Sequence, residues 1–167
     1  MKILKYSLIL ILTAALTSCG FYSFTGADTG TAKTFQVNFF QNNAPLIEPG
    51  LDIEFTNALQ DLIQNQTKLS LVNSGGDLIY EGEIVEYRIS PTTATANDTA
   101  AQNRLTMTVN VRFFNNTKEE ANFEQRFSFF FDYEGQDQLI GAQKDTALAE
   151  IFERITQDIF NASLANW

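Results

Sequence analysis

The sequence predicts an α+β domain, in which one mixed, mostly antiparallel sheet of four to five strands carries two amphipathic helices on one face. Several segments alternate apolar and polar residues with a period of two, as strands with one buried face do. Two other segments repeat apolar residues at spacings of three and four, as amphipathic helices do. The order along the 167 residues is strand, helix, three or four strands, helix. One sheet face that buries both helical stripes is the simplest arrangement of these elements.

The first strand starts the regular pattern and places Phe35, Val37 and Phe39 on one face. An asparagine-rich break follows, and a helix begins after the Pro49-Gly50 pair, with acidic residues in its first turn that suit the helix dipole. The apolar stripe of this helix comprises Leu51, Phe55, Ala58, Leu59, Leu62 and Ile63.

Two strands of unequal length come next. A short strand over residues 69–72 is closed by an Asn-Ser-Gly-Gly turn, and a longer strand covers residues 78–89. The apolar phase of the longer strand slips between Ile84 and Val85, which predicts a β-bulge. Residues 90–103 are rich in Thr, Ala and Asn and are predicted to form a flexible polar loop.

The clearest pattern is a pair of strands with apolar residues at every second position. A hairpin turn centred near Lys118 sets Val109 opposite Phe127 and Met107 opposite Phe129. The two alternations therefore match in parity without adjustment, which favours an antiparallel pair with one buried face.

A loop bracketed by Gly135 and Gly141 leads to the last element, a helix over residues 146–164 that Asp145 or Thr146 is expected to cap. Its apolar stripe comprises Ala147, Leu148, Ile151, Phe152, Ile155, Ile159 and Phe160.

The sheet face away from the helices is predicted to be polar. Its members are Gln36, Asn38, Thr106, Thr108, Asn110, Arg112, Glu124, Arg126 and Ser128. Arginines on this face could hold phosphate or carboxylate groups through two parallel hydrogen bonds, or Arg112 could simply pair with Glu124 across the strands. Phe130 is out of phase with its neighbours, so it is either a partner contact at the sheet edge or the end of its strand.

The first residues have the features of a secretory signal peptide. Lys2 and Lys5 form a short basic region, and an apolar run over residues 8–16 is too short to span a bilayer, which needs about 20 residues. The run ends in Leu-Thr-Ser-Cys, which resembles the bacterial lipobox. We therefore predict cleavage between Ser18 and Cys19, and diacylglycerol and N-acyl chains such as palmitate on Cys19; the alternative is an ordinary signal peptide with a chance cysteine.

The chain accordingly divides into a signal peptide (1–18), a lipidated tether (19–33) and a single α+β domain (34–167). The tether is rich in aromatic residues, which either dock on a partner or lie at the membrane interface. Gly20, and not an aspartate, follows the cysteine. That residue favours the outer membrane, with the domain facing the periplasm.

Composition argues against several functions. With 20 acidic residues, 11 basic residues and a net charge of −9, the chain is not expected to bind nucleic acid. It has no histidine, so a Ser-His-Asp triad is impossible and zinc would have only carboxylates as ligands. Glu81 and Glu83 could form a catalytic carboxylate pair, but solvated strand charges are the better interpretation. No enzyme activity, no metal and no cofactor beyond the acyl chains on Cys19 are expected.

The segment 19–26, of sequence CGFYSFTG, is followed by a strand, a helix, a three-strand run and a helix that ends in NASLANW. This combination resembles the LptE family of lipopolysaccharide-assembly lipoproteins, and is most similar to its Bacteroidetes-type branch. The resemblance covers essentially all of the chain after the cysteine.

The resemblance implies a plug subunit that sits in the lumen of a large outer-membrane β-barrel of the LptD type. Such a subunit helps the barrel to fold and assists delivery of lipopolysaccharide to the outer leaflet. The basic residues that could contact lipopolysaccharide or the partner are then Arg112, Arg126 and Lys118. Two other functions stay open: a periplasmic adaptor lipoprotein that activates a cell-wall enzyme, and a lipid-carrier chaperone with an apolar cavity.

Overall fold

The computed structural model describes residues 27–92, 102–134 and 139–165. The predicted signal peptide, the cleavage site at Ser18 and Cys19, and the first part of the tether lie outside these residues. Within the described ranges, no helix has the length and apolar character needed to cross a membrane.

One sheet and two long helices make up the described part of the chain, which confirms the predicted α+β class. The elements are β1 (Thr34–Val37), β2 (Gln41–Asn42), α1 (Leu51–Gln66), β3 (Ser70–Leu71), β4 (Leu78–Pro91), β5 (Gln102–Asn115), a 3₁₀ turn (Glu119–Ala121), β6 (Phe123–Glu134) and α2 (Gly141–Leu164). The sheet has six strands in the order β3-β1-β4-β5-β6, with β2 also paired to β4. β1 pairs in parallel with β3 and β4, and β2 pairs in parallel with β4, while β5 pairs antiparallel with both β4 and β6. The sheet therefore has one strand more than the largest number predicted.

The two helices run side by side on one face of the sheet. The rings of Phe55 in α1 and Phe152 in α2 meet edge to face at 5.7 Å. The Lys144 ammonium group bonds the Glu48 carboxylate at 2.8 Å near the starts of both helices, so the helices are parallel in direction. Both predicted apolar stripes lie in the core, with Leu51, Phe55, Leu59 and Ile63 from α1 buried.

The start of α2 differs from the prediction. The helix begins at Gly141, ahead of the Asp145 or Thr146 cap that the sequence favours, and Ile140 stands at the N-cap without a side-chain hydrogen bond. The Thr146 hydroxyl instead donates to the Ala142 carbonyl inside the helix, at 2.9 Å. The first turn contains no buried residue, and for that reason the apolar period gave no signal there.

The end of β1 also differs from the prediction. The strand stops at Val37, so the alternation does not continue: Phe39 is 53% exposed, while Phe40 is fully buried. The Phe40 ring packs on Phe55 at 5.3 Å. It fills the space over Gly82, where a Cβ atom would collide with that ring and with the carbonyl of Asn110.

The β5–β6 hairpin has the predicted register, with Val109 opposite Phe127 and Met107 opposite Phe129. The predicted bulge is also present, since the β4–β5 register shifts between Ile84 and Glu86. The loop predicted over residues 90–103 is shorter than expected, because β4 continues to Pro91 and β5 begins at Gln102. The antiparallel pairing of β4 with β5 continues past Ile89, where the apolar alternation of β4 ends, as far as Pro91.

Residues 27–33 pack against one end of the fold. The Asp28 amide donates to the Leu164 carbonyl at 2.6 Å. The amides of Lys33 and Thr34 donate to the Asp77 carboxylate at 2.8 and 3.0 Å. We call this end, which includes the hairpin turn 115–122 and the last turn of α2, the proximal end.

Candidate partner-binding face

The face of β4, β5 and β6 that lies away from α1 and α2, here called the open face, carries a connected set of polar side chains. Its hydrogen-bonded members are Asn38, Glu81, Glu83, Glu86, Thr108, Asn110, Arg112, Glu124 and Ser128. They alternate with core residues along each strand. The bulge at Val85 brings Glu86 onto this face and turns Tyr87 into the core, where it is 3% exposed.

Arg112 forms the centre of one group of hydrogen bonds. Its guanidinium group donates to Glu81 at 3.0 Å and to Glu83 at 3.4 Å, and the bond to Glu81 is the main reason that its pKa is raised. The predicted pair with Glu124 is wrong, although Glu124 is its register neighbour on β6. β4 offers two carboxylates on the other side, and Glu124 instead accepts a hydrogen bond from Asn110 at 2.8 Å.

Glu81 and Glu83, which the sequence left open as a catalytic pair, thus both accept hydrogen bonds from one guanidinium group. Asn38 adds a bond to Glu81 at 3.2 Å, and Asn110 adds one to Glu83 at 3.2 Å. This is the geometry of a cross-strand ion pair. Among the described residues, no cluster of carboxylates is arranged to hold a metal ion.

A second group of hydrogen bonds surrounds Thr108, which is buried on the open face. Its hydroxyl donates to Glu86 at 2.9 Å and lies 2.9 Å from the hydroxyl of Ser128. Arg88 also donates to Glu86 at 2.9 Å. The bond from Arg88, and then that from Thr108, lower the pKa of the Glu86 carboxyl.

Beside this group lies a groove of about 600 Å³, here called the β4 groove. Its apolar lining residues include Leu46, Val85, Tyr87 and Ile89. Burial raises the pKa of the Tyr87 phenol to about 12, so it stays neutral. Arg126 also lines the groove. The groove therefore offers apolar surface next to a positive charge.

The three predicted contact residues are in different situations. Arg112 and Arg126 share the open face, but Arg112 is neutralised by two carboxylates. Arg126 is exposed, and its side chain makes no hydrogen bond or ion pair within the residues that the structure describes. Lys118 lines a separate cavity of about 390 Å³ at the proximal end. Arg126 lies opposite Asn110, and the turn that contains Lys118 begins at Asn115. About 16 Å of strand therefore separates Arg126 from that turn.

Phe130 lies in the middle of the edge strand, not at its end, so the strand-end interpretation is wrong. Its ring is 43% exposed on the open face. The Arg104 guanidinium group lies over the ring at 3.6 Å and donates two hydrogen bonds to Asp132, at 2.7 and 2.8 Å. The Arg104 bonds lower the pKa of the Asp132 carboxyl and hold the ring and both side chains in place.

Sequence reasoning missed the β4 groove, because its walls come from distant parts of the chain. Leu46 follows β2, Val85 is the bulged residue of β4, and Arg126 lies in β6. The phase slip at Ile84 was the one usable signal, since bulges often re-aim side chains beside binding sites.

A family model described as LptE, lipopolysaccharide-assembly, matches residues 32–163. Three solved structures are similar: the hypothetical protein CT253 from Chlamydia trachomatis (13% identity, TM-score 0.54, 81% of this chain and 100% of that one); protein XCC0632 from Xanthomonas campestris (7%, 0.51, 80% and 87%); and the uncharacterized lipoprotein B from Nitrosomonas europaea (14%, 0.50, 84% and 86%). At these identities the likeness shows the fold. No curated protein matches the chain.

Proposed function

The chain belongs to the LptE family of lipopolysaccharide-assembly proteins, and we propose that it is an outer-membrane lipoprotein that docks in the lumen of an LptD-type β-barrel. There it assists barrel assembly and the delivery of lipopolysaccharide to the outer leaflet. The observation that carries the proposal is the open face, because a hydrogen-bonded polar sheet surface is the kind of surface that a polar barrel lumen accommodates. Such a role requires no catalytic group.

The open face is suited to docking because its side chains are already ordered. Arg112, Glu81 and Glu83 hold one another, as do Thr108 and Glu86. Binding then loses less side-chain entropy than it would with free surface residues, for which each immobilised side chain costs about 0.5–1.5 kcal/mol.

The anchor in this proposal is Cys19. Its position relative to the apolar run and to Ser18 supports lipidation, and stable attachment takes more than one acyl chain. Seven residues separate Cys19 from Ala27 at the proximal end, and the eight Cα–Cα steps reach at most about 28 Å. The proximal end would therefore face the membrane, with the open face alongside the barrel wall.

Among the three basic candidates, Arg126 is the one we propose as the contact for a lipopolysaccharide phosphate. It is exposed and lines the β4 groove together with Leu46 and Ile89, and a guanidinium group binds phosphate through paired hydrogen bonds. Arg112 would act as a structural member of the open face, and Lys118 as a contact at the proximal end.

The test is an affinity pull-down of the tagged full-length lipoprotein from outer membranes in mild detergent, with co-purifying proteins identified by mass spectrometry. We expect one large β-barrel in near-equal amount. Glu124→Arg, on the open face, should reduce its recovery at least about tenfold, because a desolvated charge reversal in a contact costs more than 1.4 kcal/mol. Glu150→Arg is the matched control, since it makes the same change on an exposed position of α2.

Recovery of a cell-wall enzyme in place of a barrel would replace this proposal with the adaptor function. Equal loss of the barrel with Glu124→Arg and Glu150→Arg would show that the open face is not the contact surface. Separately, Cys19→Ala should leave the precursor unprocessed and absent from the outer membrane, and normal fractionation of that variant would contradict the lipid anchor.

A further inference from the structure

The outer edge of β6 pairs with no other strand among residues 27–92, 102–134 and 139–165. β6 is the last strand in the sheet order and has twelve residues, all in one uninterrupted register with β5. Within the residues that the structure describes, no backbone hydrogen bond is made on its other side. Proteins usually protect such an edge with a proline, a bulge, charged side chains or a short strand. β6 is long and has no proline and no bulge, and its charged residues are of both signs.

The C-terminal half of β6 carries aromatic side chains on both faces of the sheet. Phe129 and Phe131 are half-buried on the helix side, and Phe130 is exposed on the open face. Arg154 of α2 lies over the Phe129 ring at 5.2 Å, and Arg104 lies over the Phe130 ring. A guanidinium group thus lies over two of the three rings, and aromatic pairs across strands stabilise a sheet.

Two charges on the edge lack partners. Arg126 and Glu134 are both exposed, and neither makes an ion pair or a side-chain hydrogen bond in the described part of the chain. They are of opposite sign and lie at equal distances from Phe130 along the strand, on the same face as its ring.

From this symmetry we infer that β6 pairs with β6 of a second copy of the chain, antiparallel and centred on Phe130. A two-fold axis perpendicular to the sheet keeps the open face on one side in both copies. Arg126 then lies opposite the partner's Glu134, and Phe130 lies opposite the partner's Phe130. On the helix side, Phe129 meets the partner's Phe131.

The registers centred one and two residues earlier in β6 are less favourable. A centre at Phe129 sets Glu124 opposite the partner's Glu134, and a centre at Ser128 sets Glu124 opposite the partner's Asp132. Like charges directly opposite each other destabilise a sheet. The Phe130 register avoids both of these contacts and satisfies both unpaired charges, which makes the edge self-complementary.

This dimer is a state of the lipoprotein outside the barrel, because the proposed plug is a single copy in which Arg126 is the phosphate contact. It is therefore tested on the purified full-length lipoprotein in mild detergent, by sedimentation velocity across a concentration series. We expect a dimer that dissociates on dilution. Arg126→Glu and Glu134→Arg should each weaken it at least about tenfold, because each change sets like charges opposite each other twice in the dimer. The double variant should recover to within about threefold of the parent, because the pairs re-form with reversed sign.

Crosslinking tests the register independently. Phe130→Cys should give a covalent dimer on mild oxidation, because residues directly opposite in antiparallel strands have Cα atoms about 4.5–5.5 Å apart, within disulfide range. Ser128→Cys, which faces the partner's Asp132 and not itself, should not, and the parent chain controls for Cys19. A parent that stays monomeric, a dimer unaffected by both single charge reversals, or equal crosslinking of the two cysteine variants would overturn the inference.

Discussion

The two faces of this sheet come from the same strands but are built by different interactions. The helix-covered face is held by apolar packing, in which Phe40, Phe55 and Phe152 meet edge to face. The open face is held by hydrogen bonds, such as those from Arg112 to two carboxylates. Because strand side chains alternate, each strand contributes to both. The difference suggests that stability resides mainly on the helix side, which leaves the open face available for binding.

The largest effect should come from the helix-covered face. Phe55→Ala removes a fully buried ring between Phe40 and Phe152 and should lower the free energy of unfolding by about 3–5 kcal/mol. Urea denaturation measures this. Ile53→Ala, at a 55%-exposed position of the same helix, is the control and should cost less than about 1 kcal/mol. Similar losses for the two variants would contradict the assignment of the core.

The next effect tests the close packing of the Phe40 ring on β4. Gly82→Ala places a methyl group against the Asn110 carbonyl and the Phe40 ring, and should cost about 1–3 kcal/mol of unfolding free energy as an overpacked site. Gly76→Ala meets Gln36 and the Leu78 carbonyl in the same way. Thermal denaturation should show both variants with lower melting temperatures, and an unchanged Gly82→Ala variant would mean that Phe40 does not pack there.

A smaller effect is expected on the open face. Arg112→Met should lower the free energy of unfolding by only about 1 kcal/mol, because the ion pair is about one-third exposed and solvent screens it. A double-mutant cycle with Glu81→Gln isolates the pair. Arg88→Met, whose side chain is 58% exposed in its pair with Glu86, should change stability still less. A loss from Arg112→Met as large as that from Phe55→Ala would remove the contrast between the faces.

The smallest effect is one of pH. The amide of Lys33, and then the hydroxyl and amide of Thr34, donate to the Asp77 carboxylate and lower its pKa below the ordinary 3.8. A carboxyl with a lowered folded pKa stabilises the fold above its unfolded value, and that stabilisation is lost as the pH falls through the folded pKa. Asp77→Asn should therefore flatten the loss of stability in acid below about pH 4. Parallel stability curves for parent and variant would contradict this.

Local spacing was enough to predict the parts of the molecule that depend on neighbouring residues in the chain. The register of Val109 with Phe127 and the bulge after Ile84 were both predictable, because a side-chain period of two leaves one parity for a short hairpin. The two helical stripes followed in the same way from their period. The lipidation site Cys19 remains a prediction from sequence, and no contact in the fold bears on it.

Long-range neighbours decided the rest. β1 lies between β3 and β4 through parallel pairs, and its early exit from the ladder buries Phe40 instead of Phe39. Arg112 has a carboxylate on each side, and only the presence of β4 as its neighbour selects Glu81 over Glu124. The β4 groove and the free edge of β6 likewise exist only once the strand order is fixed. Periodicity determines on which face of the sheet a residue lies, but the strand order determines which residues it contacts on that face. The strand order in turn depends on how the whole core packs.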